Sequence, residues 1–358
     1  MHRKSLLLSA TMAALGMPGV ASSAALATAP CRVARSAAPH SIYATLAQAV
    51  NASSPKETLT VNGVCEGDTT ITPAVTPLTI RGAFGATLNG EHKEGSVLAV
   101  KQGVTVVASG LTITGGTGTK ETLEPGVTFF VGGGVLNEGT LTLSNSYVTK
   151  NEITEGGGFG GGIENFGGIL TLNNSIVSRN AATVDGGGIF DFMGSLTLNN
   201  SIASGNTATV SGGGIFDSTK TGAVTLNNST VITNAAEYAG GIYAQEAALT
   251  LNYSSVVSNT AKAFGGGIIS NGEATAVLNS SAVIGNRAEY AGGIGIGGPE
   301  ERFPAGATVS LKGISTVVAN TASAKEHGGG IYIENGGKLN LGVAIVRLNT
   351  PENIFQEP

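Results

Sequence analysis

A glycine-rich segment returns along this sequence every 26 residues or so. The hexapeptide Gly-Gly-Gly-Ile-Phe-Asp occupies residues 186–191 and again residues 212–217. The apolar residue after the glycines recurs at Val135, Ile163, Ile189, Ile215, Ile242, Ile268, Ile294 and Ile331. All but the last of the steps between these positions span 26 to 28 residues. A fixed period in this range is the sequence signature of a solenoid, in which one short unit stacks on the next.

Each repeat contains two further segments. The first reads Leu-Thr-Leu, as at residues 170–172 and 196–198, and in a strand its two leucines share one face. The second is an apolar residue followed three positions later by asparagine, as in Val177 and Asn180. The three short strands of one repeat cannot form a stable sheet on their own. Stacked in register, they predict an all-β, single-stranded, right-handed parallel β-helix of about ten to eleven coils.

Two kinds of corner follow from the same pattern. The glycines predict a corner where the backbone takes positive φ or packs closely against a neighbouring coil. The asparagines predict a second corner, where stacked side-chain amides hydrogen-bond along the rod, as in cross-β stacks.

The pairing of Gly-Gly-Gly-Ile with Val-x-x-Asn resembles the repeat of polymorphic outer-membrane proteins. Their motif pairs Gly-Gly-Ala-Ile with Phe-x-x-Asn, and here Val, Ala or Ile replaces the Phe. More broadly, the sequence is similar to right-handed parallel β-helix proteins of the pectin-lyase-like superfamily. The resemblance covers about residues 58–350. It implies the architecture and says little about activity.

The N-terminal residues are typical of a secretory signal peptide. Residues 1–27 begin with a basic stretch, continue with a short apolar run and reach a small-residue cleavage site at Ala27, with Ala24 as an alternative. The apolar run is shorter than the roughly 20 residues that span a bilayer. We therefore expect an exported protein, secreted or associated with the cell surface. In an exported chain, Cys31 and Cys65 predict a disulfide, although two free thiols are the alternative.

Residues 28–57 form a predicted N-terminal segment before the β-helix. Apolar residues at helical spacing predict an amphipathic helix over residues 42–50, with Ser41 as its N-cap. A solenoid leaves the core of its first coil open, so we expect this helix to cover it. Residues 351–358 are a polar tail.

Composition excludes several classes of protein. Only 12% of the residues are charged and 41% are hydrophobic, the reverse of a disordered chain. The net charge is −5 and no basic patch is present, so we expect no nucleic-acid partner. Metal, phosphate and nucleophile motifs are absent from the sequence, and we expect no cofactor and a monomer.

Asp191 and Asp217 are weak catalytic candidates. They occupy equivalent positions of adjacent repeats, which places them about 5 Å apart. Paired carboxylates at that range can act in sugar hydrolysis or bind a cation. The alternative is a turn column, since Asn, Asp and Ser favour tight turns and recur at this position. A second set of acids, before the glycines, is interpreted as solvated loop residues: Glu155, Asp185, Glu237 and Glu289.

Two insertions interrupt the period, at residues 117–130 and 297–306. Insertions in repeat proteins map to loops, often on the binding face. The weak binding candidates are therefore Lys120, Phe129, Phe130, Arg302 and Phe303. We expect an extracellular, adhesin-like or glycan-binding module without a catalytic motif. A polysaccharide lyase or glycoside hydrolase and a purely structural rod are the alternatives.

Overall fold

The computed structural model describes residues 29–124, 126–218, 222–297, 306–324 and 327–357. Over these residues the chain winds as an all-β parallel solenoid of about ten turns. The predicted signal peptide, Arg302 and Phe303 lie outside the described residues. The parallel β-solenoid predicted from the period is confirmed, whereas its right-handed sense stays a prediction.

The Leu-Thr-Leu segments form the leucine sheet. Each strand pairs in parallel, residue for residue, with the equivalent strand of the next repeat, for example Leu170 with Leu196. The parallel strands of the leucine sheet are Thr58–Asn62, Leu78–Gly82, Thr105–Ser109, Thr140–Ser144, Ile169–Asn173, Ser195–Asn199, Ala223–Asn227, Ala248–Asn252, Thr275–Asn279, Thr308–Lys312 and Lys338–Leu341.

The segments that contain the recurring valine form the valine sheet, and those that follow the glycines form the isoleucine sheet. The strands of the valine sheet are Val64–Glu66, Thr87–Asn89, Thr112–Thr114, Tyr147–Thr149, Ile176–Ser178, Ile202–Ser204, Thr230–Ile232, Ser255–Val257, Ala282–Ile284, Thr316–Val318 and Ile345–Arg347. The strands of the isoleucine sheet are Thr69–Ile71, Leu98–Val100, Val135–Asn137, Ile163–Phe166, Ile189–Phe192, Ile215–Ser218, Ile242–Gln245, Ile268–Asn271, Ile294–Ile296, Ile331–Ile333 and Ile354–Gln356.

The three sheets enclose one apolar core. Leucine pairs such as Leu141 and Leu143 point inward and are buried, together with Ile163 and Val177. Each aliphatic side chain buried in this way stabilises the fold by roughly 1.5–3 kcal/mol relative to exposure. The gain is offset by the entropy of ordering the chain.

The predicted asparagine ladder is present at the corner after the valine sheet. Its buried members are Asn151, Asn180, Asn206, Asn234, Asn259, Asn286, Asn320 and Asn349. From Asn151 to Asn320, each Nδ2 donates to the Oδ1 of the next asparagine at 3.0 Å. That same Oδ1 also accepts the backbone N–H of the donating residue. The ladder satisfies buried polar groups in every coil, which would otherwise cost free energy.

The glycine corner uses both properties predicted for it. Gly186 has φ +66°, a conformation that glycine adopts without steric cost. Gly187 packs so closely that a Cβ there would collide with the carbonyl oxygen of Thr207 on the next coil. Positive φ and close packing together explain why three glycines precede the isoleucine.

The chain before the first coil differs in detail from the prediction. Strands Arg32–Arg35 and Ala38–Tyr43 are antiparallel and extend the edge of the leucine sheet. The helix is shorter than predicted, spanning Leu46–Asn51, and its N-cap is Thr45 rather than Ser41. Residues 41 and 42 belong to the preceding strand, so the helix predicted from apolar spacing began too early in the sequence. A single turn of 3-10 helix occupies Pro73–Val75.

The predicted disulfide between Cys31 and Cys65 is confirmed. It joins the N-terminal segment to strand Val64–Glu66, the first strand of the valine sheet. The polar tail contains strand Ile354–Gln356, the last strand of the isoleucine sheet, and so does not stand apart from the solenoid.

The prediction of three strands per coil is incomplete. After the asparagine corner, six coils add a fourth strand, and together these form a short-strand sheet. Its members are Ala181–Ala182, Thr207–Ala208, Ala235–Tyr238, Thr260–Phe264, Arg287–Ala288 and Thr321–Ala322. Most of these strands have only two residues, too few to show an alternating pattern.

A second apolar cluster lies on the outer face of the isoleucine sheet. Phe190, Phe216 and Tyr243 form a stack there, with ring centroids 5.2 and 4.8 Å apart. Residues that precede the glycines, such as Phe264, pack over this stack. The outer face of the isoleucine sheet is therefore covered where this cluster lies, in contrast to the partly exposed threonines of the leucine sheet.

Candidate functional site

The insertion at residues 117–130 folds as a hairpin instead of an irregular loop. Strands Thr119–Glu124 and Val127–Val131 pair in antiparallel fashion. The second strand then pairs in parallel with strand Gly157–Phe159 of the following coil. Gly126, with φ +90°, lies at the turn. The hairpin is thus anchored to the solenoid along one strand and projects beside the isoleucine sheet.

The three candidate residues of the hairpin differ in their exposure to solvent and do not form one binding surface. Lys120 and Phe130 are register partners, and so are Glu121 and Phe129. Lys120 is exposed, whereas Phe130 is buried against Gly156. Phe129 is half-buried and packs edge-on against Phe159, with ring centroids 6.2 Å apart.

A pocket of about 170 Å³ lies between the hairpin and the outer face of the isoleucine sheet. It is lined by Glu121, Phe129, Val131, Leu136, Glu138, Glu164 and Phe166. The hairpin supplies the first three residues, and the remainder come from strands Val135–Asn137 and Ile163–Phe166 or directly follow them. Phe129 is the one sequence-predicted binding candidate among these residues.

Glu164 is the most unusual residue of the pocket. Its register partners on the adjacent strands are Leu136 and Phe190, so it interrupts an otherwise apolar column. Only 4% of its surface is exposed, and within the described part of the chain its Oε2 atom has no hydrogen-bond partner. A buried carboxyl in that condition is costly unless it is neutral or meets a suitable partner.

Electrostatics favour the neutral form of Glu164. Burial raises the pKa of this carboxyl well above its ordinary value, and the charges of Glu121 and Glu138 raise it further. The backbone N–H of Gly132 acts in the opposite direction. Glu138 itself pairs with Lys101, with 2.9 Å between Nζ and Oε1. The pocket thus holds one compensated carboxylate beside the carboxyls of Glu121 and Glu164.

Aromatic rings form the other part of the lining. Phe166 is 48% exposed at the rim and stacks on Phe192, with ring centroids 5.7 Å apart. Together with Phe129, it gives the pocket two apolar surfaces near the acidic groups. This combination of flat apolar surfaces and acceptor oxygens is suited to binding small polar molecules.

Asp191 and Asp217 lie elsewhere, inside the solenoid. They are register partners on adjacent strands of the isoleucine sheet, as their spacing predicts, and neither has any exposed surface. Asp191 Oδ1 accepts a 2.6 Å hydrogen bond from Asn165 Nδ2. Asp191 Oδ2 and both oxygens of Asp217 have no partner within the described residues.

Burial raises the pKa of Asp191 to about 7, opposed by the hydrogen bond from Asn165. It raises the pKa of Asp217 to about 9, and the charge of Asp191 adds to the rise. Their neighbours in the column include Asn137, whose Nδ2 donates to the backbone oxygen of Gly139 in the following turn. The pair does not line an open groove, so the geometry gives no support to a catalytic role.

The set of acids expected before the glycines does not form one column. Asp185 is in register with Phe159 and Ser211, and Ser211 in turn with Tyr238. Glu237 lies one position before Tyr238 and is therefore not part of this column. The column is mainly aromatic. Within the described ranges, no group of three or more His, Cys, Asp or Glu side chains is placed to hold a metal ion.

Sequence reasoning missed Glu164. The signal was present, since Glu164 follows the recurring isoleucine directly, where the next repeats have Phe190, Phe216 and Tyr243. An acid in an aromatic column indicates either an exposed position or a special environment. The hairpin that covers it could not be recognised from the period, because the insertion belongs to no repeat.

Comparisons with family models, with curated proteins and with solved structures find no match for this chain. The architecture alone therefore connects it to other β-helix proteins. In the part of the chain that the structure describes, no helix has the length and apolar character to cross a membrane.

Proposed function

We propose that this protein is an exported, non-catalytic binding module that engages a glycan through the pocket beneath the hairpin Thr119–Val131. The observation that carries the proposal is the pocket itself, where two phenylalanines and a carboxyl with an unpaired oxygen, that of Glu164, converge at the one place where a described insertion folds over the solenoid. Export is supported by the signal-like N-terminus and by the disulfide, since disulfides persist in oxidising compartments.

The resemblance to polymorphic outer-membrane repeats and to the pectin-lyase-like superfamily belongs to the same proposal. A long rod of parallel coils presents a large surface from a rigid backbone, which suits attachment to an extended polymer. The architecture by itself hosts many functions, so the pocket and not the fold supports binding.

The competing function is polysaccharide cleavage by Asp191 and Asp217. Cleavage requires a carboxyl within reach of the glycosidic oxygen, and both side chains are enclosed. A screen of the purified protein on polysaccharides should therefore detect binding without new reducing ends or unsaturated products.

Two variants test the proposal. Phe129→Ala removes one aromatic wall and should weaken glycan binding, whereas the double variant Asp191→Asn, Asp217→Asn should leave binding unchanged. Thermal melting of each variant checks that the solenoid remains folded. A cleavage activity that disappears in the double variant would overturn the proposal, and so would binding that survives removal of residues 120–130.

A further inference from the structure

The pocket beneath the hairpin contains an acceptor oxygen without a donor. Glu164 Oε2 is enclosed by Leu136 and Phe190 on its own sheet and by the hairpin in front, and no described side chain or backbone N–H donates to it. Buried polar atoms in folded proteins are nearly always hydrogen-bonded. An unpaired, buried oxygen on a residue that lines a pocket therefore indicates where the donor of a ligand would bind.

The surrounding charges indicate the charge that the donor group of a ligand should carry. Glu121 faces Glu164 from the hairpin and Glu138 faces it from the end of strand Val135–Asn137, and both act on its carboxyl through their charges. Lys101 compensates Glu138 at 2.9 Å. No described cation pairs with Glu121 or Glu164, so a cationic donor would bind favourably.

The geometry narrows the class of cation. The described residues hold no cluster suited to a metal ion. A quaternary ammonium has no N–H to give to Oε2, whereas a primary ammonium offers three. A guanidinium prefers two parallel acceptors, whereas a primary ammonium can donate to a single buried oxygen such as Glu164 Oε2. The apolar faces of Phe129 and Phe166 complete a pocket with room for a single compact ring.

We propose that this pocket binds the free ammonium group of an amino sugar, with Glu164 as the acceptor and Phe129 and Phe166 as the ring contacts. The inference rests on the proposed glycan-binding function and specifies its ligand class. Glu164 acts as a specificity-determining residue, because an N-acetylated sugar has a neutral amide where the ammonium would be.

Binding is coupled to a proton. The empty pocket favours protonated Glu164, since burial and two neighbouring carboxylates oppose its charge. An ammonium group against Oε2 reverses that preference and lowers the pKa of the carboxyl. Complex formation with an amine that is already charged should therefore release protons from Glu164.

The test compares three β-1,4-linked tetrasaccharides, of glucosamine, of N-acetylglucosamine and of glucose, by titration calorimetry at about pH 6, where the sugar amines are largely charged, in two buffers of different ionisation enthalpy. The glucosamine oligomer should bind about ten- to hundredfold more tightly than the other two, as expected for a charge-assisted hydrogen bond. Its binding should release protons into the buffer.

Matched variants test which carboxyl is responsible for the preference and for the proton release. Glu164→Gln keeps the shape of the side chain and should abolish both the preference and the proton release. Glu121→Gln, on the hairpin, should reduce the preference without affecting the core of the solenoid. Glu155→Gln changes an exposed carboxylate of a neighbouring loop and should behave as the unmodified protein. Melting curves confirm that all three variants are folded.

The outcomes separate the two proposals. Equal affinity for all three oligomers, lost on Phe129→Ala, would leave the glycan-binding function standing and refute the amino-sugar inference. A lysine peptide that binds through Glu164 while the glucosamine oligomer does not would refute it in favour of a protein partner. Binding of no oligomer in a wider glycan screen would refute the proposed function itself.

Discussion

Replacement of Asp217 by asparagine should stabilise this protein at neutral pH. Asp217 is fully buried, and neither of its carboxyl oxygens has a partner among the described residues. Burial and the neighbouring Asp191 raise its pKa to about 9, so the folded protein holds it protonated at pH 7. The unfolded chain ionises the same carboxyl near its ordinary pKa of 3.8. Folding at pH 7 must therefore take up a proton.

The magnitude follows from that difference. Each pH unit above the unfolded pKa of 3.8 costs 1.36 kcal/mol until the folded pKa is reached, so at pH 7 the cost is about 4 kcal/mol. The folded state binds more protons than the unfolded state, and stability therefore falls as pH rises from about 4 to about 9. Below pH 3.8 both states are largely protonated, and Asp217 imposes no such cost.

Asparagine removes the titration and adds a donor. Asn165 already donates from Nδ2 to Asp191 Oδ1 at 2.6 Å. Asp191 Oδ2, which has no described partner, is available to an amide at position 217 on the next strand. Asp217→Asn should therefore raise the melting temperature by about 6 °C at pH 7, from an unfolding entropy of roughly 0.7 kcal/mol/K for a chain of this length. At pH 3 only the added hydrogen bond contributes, so the gain should be much smaller.

The assay is thermal melting by circular dichroism or calorimetry between pH 3 and pH 9. Glu289→Gln makes the same change of charge at an exposed position and should shift the melting temperature little at any pH. Asn165→Asp adds a third carboxyl to the column and should destabilise the protein at pH 7 much more than at pH 3. The reasoning is refuted if Asp217→Asn melts below the unmodified protein at pH 7, or if its gain is as large at pH 3 as at pH 7.

Three further predictions concern the repeat and its start. Asn234→Ala leaves buried donors and acceptors unpaired on both neighbouring coils and should lower the free energy of unfolding by roughly 3 kcal/mol or more, measured by denaturant titration. Gly187→Ala forces a Cβ against a backbone oxygen and should lower the melting temperature by several degrees, whereas Gly157→Ala, whose Cβ would meet only ordinary contacts, should be tolerated. Reduction of the Cys31–Cys65 disulfide, which closes a loop of 34 residues, should cost about 4 kcal/mol, visible as earlier melting in a reducing agent.

The period was informative because it reflects how each coil contacts the next. A leucine that points inward in one coil must stack on a leucine in the next, so the strands of the leucine sheet and the asparagine ladder could be predicted from sequence. The two-residue strand Ala181–Ala182 could not, since its position depends on the asparagine corner before it and the aromatic cluster after it.

The N-terminal helix shows a different limit. Helical spacing of apolar residues continued back to Ile42, but that residue lies 47% exposed in a strand that pairs with the edge of the leucine sheet. Thr45 provides the real N-cap through its side-chain oxygen. The unpaired edge of a sheet can draw residues into a strand even where local spacing favours a helix.

Glu164 and Asp191 are both buried acids, but their surroundings differ. This difference determines whether each carboxyl can interact with a ligand. Glu164 and Asp191 lie on adjacent strands of the isoleucine sheet, and burial raises the pKa of both. Asp191 points into a core where Asn165 is its one hydrogen-bond partner among the described residues, so its proton can change stability but cannot be exchanged for a ligand. Glu164 points outward beneath a hairpin with a pocket in front of it. A raised pKa therefore identifies a carboxyl whose charged form is destabilised by its surroundings. Access from solvent determines whether a bound ligand can stabilise that charged form.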